Sequence, residues 1–366
     1  MKWQNIFEQV SDFRIECHKR YPLSDLLMIS LCAVISGADD FEAMAEYGRE
    51  KQEFLKRFLD LPNGTASHDT FNRVFRYMDK QAFGRVLHEW SKELLEFLDF
   101  HQINIDGKVV RATAEGGKKK SGICVVSAWV AEQRLVLGQE KVDKKSNEKT
   151  AIPPLIEALD LQGALVSIDA MGCQVSIGKQ IIEKGGDYLL SLKKNQVCLY
   201  EQVSEWMQAN KAAIPYYETV EESAGRFERR TCYVTDQWQW MDDLAAWPAV
   251  KRVIMIESNR QKGDKIVSET RYYLSSLAEN AFAFCGLIRN HWSIENGLHW
   301  FLDVVFDEDR STTRKDNGAE NLSTLRKLAL QILRQTKDKH SIHHRRMKAA
   351  WNQTYLLQVL ENAFNK

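Results

Sequence analysis

The sequence has no apolar run long enough to cross a bilayer. Its longest, from Leu26 to Ala38, is broken by Ser30 and Ser36 and bounded by Asp25 and Asp39, well short of the roughly 20 apolar residues that a spanning helix needs. The start of the chain lacks the basic-then-apolar layout of a secretory signal, since Asn5, Glu8 and Asp12 are scattered among its apolar residues. These absences argue against a membrane partner and leave the cytoplasm as the expected compartment. No two of the seven cysteines stand as Cys-x-x-Cys, and in that compartment an odd number predicts reduced thiols and no disulfide framework. There is no internal repeat and no low-complexity tract. Net charge is absent too, with 50 Lys and Arg against 50 Asp and Glu. That excludes a uniformly cationic surface, the usual signature of phosphate binding, but the distribution is uneven. Residues 107–150 carry ten basic against five acidic residues, and residues 310–366 carry twelve against four.

What is present is the composition of a folded chain, 44% hydrophobic and 27% charged. At 366 residues it exceeds what one ordinary core supports, which favours two domains or one with a large insertion. Residues 1–100 read as a small helical domain with a possible DNA contact. Leu23, Leu26, Leu27, Leu31 and Val34 fall on one stripe, as do Phe83, Val86, Leu87 and Trp90, and Ser67 stands where a cap precedes an amphipathic helix. After Phe100 the period shortens. Residues 102–106, 124–130, 134–142 and 165–169 read as strands, with a helix at 150–159 carrying Pro153 and Pro154 in its first turn. This order predicts an α/β core with a mixed sheet, its first part at 101–194. A β-rich insertion follows at 195–280, with strands at 231–234, 250–257 and 270–277. Helical periodicity returns at 281–336, and 337–366 reads as a basic helical tail.

Two strand ends share one design, Ile103-Asn104-Ile105-Asp106-Gly107 and Val166-Ser167-Ile168-Asp169-Ala170. A carboxylate closing a buried strand is costly unless it is paired or binds a metal, and two of them suggest a shared ion. Glu295, in the run His291 to Trp300, is the third member: on a helix it shares a face with Trp292 and His299. Three such carboxylates can hold two Mg²⁺ or Mn²⁺ ions that clamp the attacking and leaving oxygens of a phosphodiester displacement. The rival reading is a zinc stripe of His291, Glu295 and His299, four residues apart, but it leaves both strand-end aspartates unexplained. His340, His343 and His344 lie in a basic stretch and read as solvated or phosphate-facing.

With these residues in place, the chain resembles the DDE transposases of bacterial insertion sequences, in the branch of H-repeat-associated proteins of the ISAs type. The resemblance rests on "RYPLSDLLMISLCAVISGADDFEAMAEYG", "IDGKVVRAT", "SIDAMGCQ", "GGDYLLSLKKNQ", "RYYLSSL" and "HWSIENGLHWFLDVVFDEDRS", in that order from about Tyr21 to Leu333. It implies an RNase H-like catalytic core and places the acidic triad on Asp106, Asp169 and Glu295. Ile288, His291 and Leu302 stand where related transposases often carry Tyr, Arg and Lys. The expected reaction is metal-dependent cleavage at element ends and strand transfer into target DNA, by a dimer assembled on double-stranded DNA in the bacterial nucleoid. Expected DNA contacts are Lys108, Arg111, Lys144, Lys145, His291, Arg310, Arg314, Arg326 and Lys327. Two alternatives share the fold: a nuclease or resolvase without strand transfer, and an inactive DNA-binding remnant.

Overall fold

The computed structural model describes residues 5–95, 101–114, 122–142, 146–223 and 225–364. Five helices come first: α1 (Leu23–Ile35), α2 (Phe41–Glu50), α3 (Gln52–Leu55), α4 (His68–Tyr77) and α5 (Lys80–Leu94). The apolar run of α1 is buried on almost every side, as a helix without a polar stripe must be. Asp40 caps α2 by accepting the Ala43 N–H, and Asp79 caps α5 by accepting those of Gln81 and Ala82. Ser67 does precede α4, but its hydroxyl makes no cap bond and faces the Thr70 hydroxyl at 3.4 Å instead.

The core follows as β1 (Gln102–Val110), β2 (Ile123–Val130), β3 (Leu135–Lys141), α6 (Glu148–Ala158), β4 (Leu165–Ile168), α7 (Val175–Glu183) and β5 (Asp187–Leu192). Helix α6 begins earlier than the sequence suggests, because the Asn147 side chain accepts the Lys149 N–H and so caps it. Pro153 and Pro154 therefore lie inside the helix and not in its first turn. The next stretch holds α8 (Val197–Asn210), β6 (Tyr216–Ser223), β7 (Arg226–Thr235), α9 (Asp242–Ala245), β8 (Arg252–Lys262) and β9 (Lys265–Ser275). Two of these strands escape sequence reading for opposite reasons. β5 is a short run buried on both faces, which periodicity cannot distinguish from a helix segment. β6 is an edge strand with Tyr216 and Val220 in solvent, so no buried face imposes alternation.

All nine strands form one sheet in the order β3-β2-β1-β4-β5-β9-β8-β7-β6. β1, β4 and β5 run parallel, β2 and β3 complete an antiparallel edge, and β9 joins β5 antiparallel. The inserted strands thus extend the core sheet. One face packs on α6, α7 and α8 through Ile103, Ile105, Val166 and Leu190. The other meets α10 (Ala281–His291) through Leu189, Ile254 and Phe284. Past α10 come a π-helical turn (Glu295–His299), α11 (Trp300–Val304), α12 (Gly318–Gln335), α13 (Ile342–Trp351) and α14 (Gln353–Phe364).

Both ends of the chain share a core. Leu27, Phe75, Trp90, Leu325, Val359 and Leu360 belong to one apolar cluster, which also takes in Trp129 and Val136 of the sheet. The residues after 337 are packed into this cluster and do not trail from it. Among the described residues no helix is long and apolar enough to cross a membrane, and all seven cysteines are free.

Arg346 of α13 ties the two ends together. It donates to the Val34 carbonyl at the end of α1 at 2.9 Å, to the Asp39 carboxylate at 2.8 Å and to the Val305 carbonyl, and its guanidinium lies 4.2 Å from the centre of the Phe306 ring. Arg346→Met, which keeps the volume but takes the donor from the Val305 carbonyl and the Asp39 carboxylate and one of the donors from the Val34 carbonyl, is expected to lower unfolding free energy by about 3 kcal/mol in denaturant titration; a loss under about 1 kcal/mol would show that the contacts are dispensable.

Candidate active site

The register of the central strands decides where the two aspartates meet. β1 and β4 are parallel with Ile105 opposite Ile168, so Asp169, just past the end of β4, comes beside Asp106, which lies within β1 and not at its end as the sequence suggests, because β1 continues along β2 to Val110. Side chains alternate along a strand, which puts Asp106 on the α10 face with Gln102 and Asn104. Burial, then the neighbouring Asp169, push the Asp106 carboxyl up to about 7; the Gly107 N–H opposes the shift, while Glu148 and Glu295 add to it. Asp169 also accepts the Met171 N–H at 3.0 Å, which orients it at the turn after β4.

A buried polar network brings the third acid to this face. Gln102 donates to the Leu287 carbonyl at 2.9 Å and Asn104 to the Asn290 carbonyl at 2.8 Å, which pins α10 across β1. The Ser167 hydroxyl donates to Asn104 Oδ1 at 2.6 Å and stands 2.9 Å from His291 Nδ1. Just beyond, the π-helical turn carries Glu295 itself, which is exposed and within Coulombic range of Asp106. Such a turn widens the helix and exposes carbonyls that need partners. Arg334 of α12 supplies one by donating to the Gly297 carbonyl, while its guanidinium stacks 5.1 Å from Trp129 and 4.9 Å from Phe301. Gly297 allows the approach, for a Cβ there would meet the Trp129 ring at 2.9 Å.

These placements dispose of the zinc stripe. His291 is buried and committed to Ser167, the π-turn breaks the four-residue spacing, and His299 stands with Nδ1 3.7 Å from Asp106 Oδ2. Burial, with Lys327 and Lys108 nearby, lowers His299 to about 3, so its ring is neutral, and its Nε2 has no hydrogen-bond partner among the described residues. The remaining candidates divide sharply. Arg111, Arg310 and Arg314 are exposed; Arg111 pairs with Asp309 at 3.1 Å, which also binds Lys108 of β1, and Arg310 pairs with Asp307 at 3.5 Å. Lys144 and Lys145 lie outside the described residues. Lys108, His291, Arg326 and Lys327 are buried, which corrects the expectation that they face phosphate. Lys108 is bound by Asp303 at 2.6 Å, Glu308 at 3.1 Å and Asp309 at 3.3 Å. Arg326 donates to the Asp39 carbonyl at 2.9 Å, and Lys327 to Ser127 and Gln139 at 2.8 and 2.6 Å. Their charges answer carboxylates inside the protein.

Among the described residues no three of His, Cys, Asp and Glu converge as a ready-made metal-ligand set. The residues nevertheless fit a hard divalent cation. The donors of Asp106 and Asp169 are carboxylate oxygens, the preference of Mg²⁺ and Mn²⁺, and their mutual repulsion is what a cation would offset. One further acid, Glu148, lies within Coulombic range of Asp106 and Asp169 and is missed by sequence reading, which begins the helix at residue 150 and leaves Glu148 outside it.

Comparison with known proteins agrees with this architecture. Residues 100–332 match the family model described as Transposase DDE domain, which has an RNase H-like fold, and residues 4–91 match the one described as DDE_Tnp_1-associated. The "Putative transposase YncI" of Escherichia coli O157:H7 is 39% identical over 371 residues, covering 98% of this chain and 95% of that protein. The "H repeat-associated putative transposase YhhI" of Escherichia coli (strain K12) is 36% identical over 375 residues, covering 98% of each. A shorter relative from the same strain, "Inactive transposase YbfQ", is 38% identical over 77 residues, or 20% of this chain and 92% of its own length.

The buried cluster behind the site generates a pH signature. Burial works to raise Glu308, but Lys108, Arg326 and Lys327 together outweigh it and hold the carboxyl at about 2, against an ordinary 4.5. A depressed folded-state value means that Glu308 contributes stability above about pH 4.5 and loses it as pH falls through about 2. Glu308→Gln is expected to cost about 3 kcal/mol near neutral pH and to remove most of the acid-linked loss in that window. Chemical denaturation of both proteins across pH measures it, and parallel stability profiles would refute the assignment.

Proposed function

The chain belongs to the DDE transposases, in the H repeat-associated branch, and on that premise we propose that it cuts DNA at the ends of its element and joins the freed ends to target DNA. What supports this reading is that Asp106 in β1 lies beside Asp169 at the end of the parallel β4, with Glu295 of the π-turn within Coulombic range of Asp106. DDE transposase domains generally use divalent metal ions. Asp106, Asp169 and Glu295 would hold a pair of Mg²⁺ or Mn²⁺ ions, which when bound supply Lewis-acid stabilisation to attacking and leaving oxygens.

The protein's own contribution is placement. The Gln102, Asn104, Ser167 and His291 network holds α10 against the strands, and Arg334 holds the π-turn, so Glu295 is presented from a rigid frame. His299 stands beside Asp106 as a neutral ring and adds no positive charge there. Arg111, Arg310 and Arg314, all exposed, would hold phosphates and orient the duplex without reading sequence. Water is the nucleophile for cleavage and the liberated 3′-hydroxyl for joining, so one site serves both steps and no covalent protein intermediate forms. Joining two ends requires two of them at once, which favours a dimer on DNA. The name of the shorter relative raises the alternative of an inactive remnant, but this chain retains all three acids.

Labelled DNA carrying the element ends, with Mg²⁺ or Mn²⁺, tests the proposal. Asp106→Asn, Asp169→Asn and Glu295→Gln should each lower cleavage and strand transfer by about 10² to 10³-fold or more, while DNA binding persists. Replacing Arg310 and Arg314 should flatten the salt dependence of binding by about one unit of slope for each phosphate that the protein no longer neutralises. Cutting without joining would identify a nuclease, and binding without wild-type chemistry a remnant.

A further inference from the structure

Glu148 lies beside the same stretch of β1 and β4 as Asp106 and Asp169, but on the other face of the sheet. Asp106 faces α10, so the next residue, Gly107, faces α6 together with Ile103 and Ile105. The space that a side chain at Gly107 would fill is taken by Glu148. A Cβ at Gly107 would lie 2.6 Å from the Glu148 carboxyl carbon and 2.6 Å from its Oε1. The glycine therefore leaves room, next to Asp106 in β1, for the Glu148 carboxylate to lie against the strand on the α6 face.

The ordinary duties of such a residue are already discharged by others. Glu148 is the first residue of α6, but the cap is Asn147, whose side chain accepts the Lys149 N–H at 3.1 Å. Among the described residues no lysine or arginine pairs with Glu148. Its hydrogen-bond partner is the Cys124 thiol of β2, a weak donor, at 3.4 Å from Oε1. It is half-buried and lies within Coulombic range of both Asp106 and Asp169. A carboxylate held near two others, with a thiol as its hydrogen-bond partner among the described residues, lowers the stability of the protein unless something positive comes to the site.

We propose that Glu148 is a fourth carboxylate of the divalent-metal site formed with Asp106, Asp169 and Glu295, from its place against Gly107. The inference rests on the metal-dependent reading given above and extends it. Four carboxylates balance the charge of two divalent cations where three fall short, and all donors remain hard oxygens, as Mg²⁺ and Mn²⁺ prefer.

Manganese binding to the full chain without DNA tests this independently of activity. Free Mn²⁺ is followed by its electron paramagnetic resonance signal, and thermal unfolding is recorded with and without Mn²⁺. Glu148→Gln should weaken Mn²⁺ binding by about tenfold. In metal-free buffer it should melt at or above the wild-type temperature, because a repelling charge is gone, and Mn²⁺ should raise that temperature less than in the wild type. A merely structural role predicts the reverse, a lower melting temperature with the Mn²⁺ response intact. If Asp106→Asn loses Mn²⁺ while Glu148→Gln keeps wild-type affinity, the proposal falls and the three-carboxylate site stands. If the wild type binds no Mn²⁺, both fall. Should Glu148→Gln not fold, Glu148→Asp keeps the charge but withdraws the carboxylate by one methylene, and wild-type affinity there equally overturns the proposal.

Discussion

Asp106 and Asp169 stand side by side because β1 and β4 are parallel and in register, and two carboxylates so placed repel. Folding has to offset that repulsion elsewhere, and most of the polar architecture around the sheet can be understood as doing so. Lys108, two residues beyond Asp106, is fastened among Asp303, Glu308 and Asp309. Arg326 and Lys327 answer Glu308 from α12, and Lys327 is anchored to β2 and β3 through Ser127 and Gln139. The strand that carries the first acid is thereby locked to the C-terminal helices just behind the place where the charges gather. A site held in this way is preorganised at the expense of stability.

The same constraint explains why the two ends of the chain share a core. The π-turn bearing Glu295 exposes carbonyls that need outside donors, and the donor at Gly297 is Arg334, on a helix packed against α1 and α5. Arg346 then joins the end of α1 to Val305 and Asp39. The amino-terminal helices are therefore part of the frame that positions Glu295, whatever else they touch. On the far side, the inserted strands continue the core sheet through β9, so the insertion reaches the candidate site as a rigid extension and not as a tethered module.

Cationic residues illustrate how far a charge count can mislead. The excess of basic residues in 107–150 and 310–366 suggests two phosphate-binding surfaces, yet Lys108, Arg326 and Lys327 are interior counter-ions. Of the expected phosphate contacts among the described residues, Arg111, Arg310 and Arg314 are the ones left in solvent. Interior cations are recognisable only from what they face, because the carboxylates that hold them are remote in sequence: Lys108 and Glu308 are partners across the whole insertion.

Local patterns in the sequence determined a good deal of this protein. Alternating runs leading to Asp106 and Asp169 mark two strands, though β1 runs on past Asp106 to Val110; the stripes of α1 and α5 mark helices, and the ordered motifs identify the family and hence its RNase H-like core. Those features depend on neighbours a few residues away, so they survive in one dimension. Register, face and partner depend on contacts between distant segments, and only the tertiary structure decided them. The parallel pairing of β1 with β4 places the aspartates together, the absent side chain at Gly107 admits Glu148 from the opposite face, and the widened π-turn breaks the spacing that made His291, Glu295 and His299 look like a stripe. Each is a matter of which atoms fill a space, and that is settled when the sheet closes on its helices.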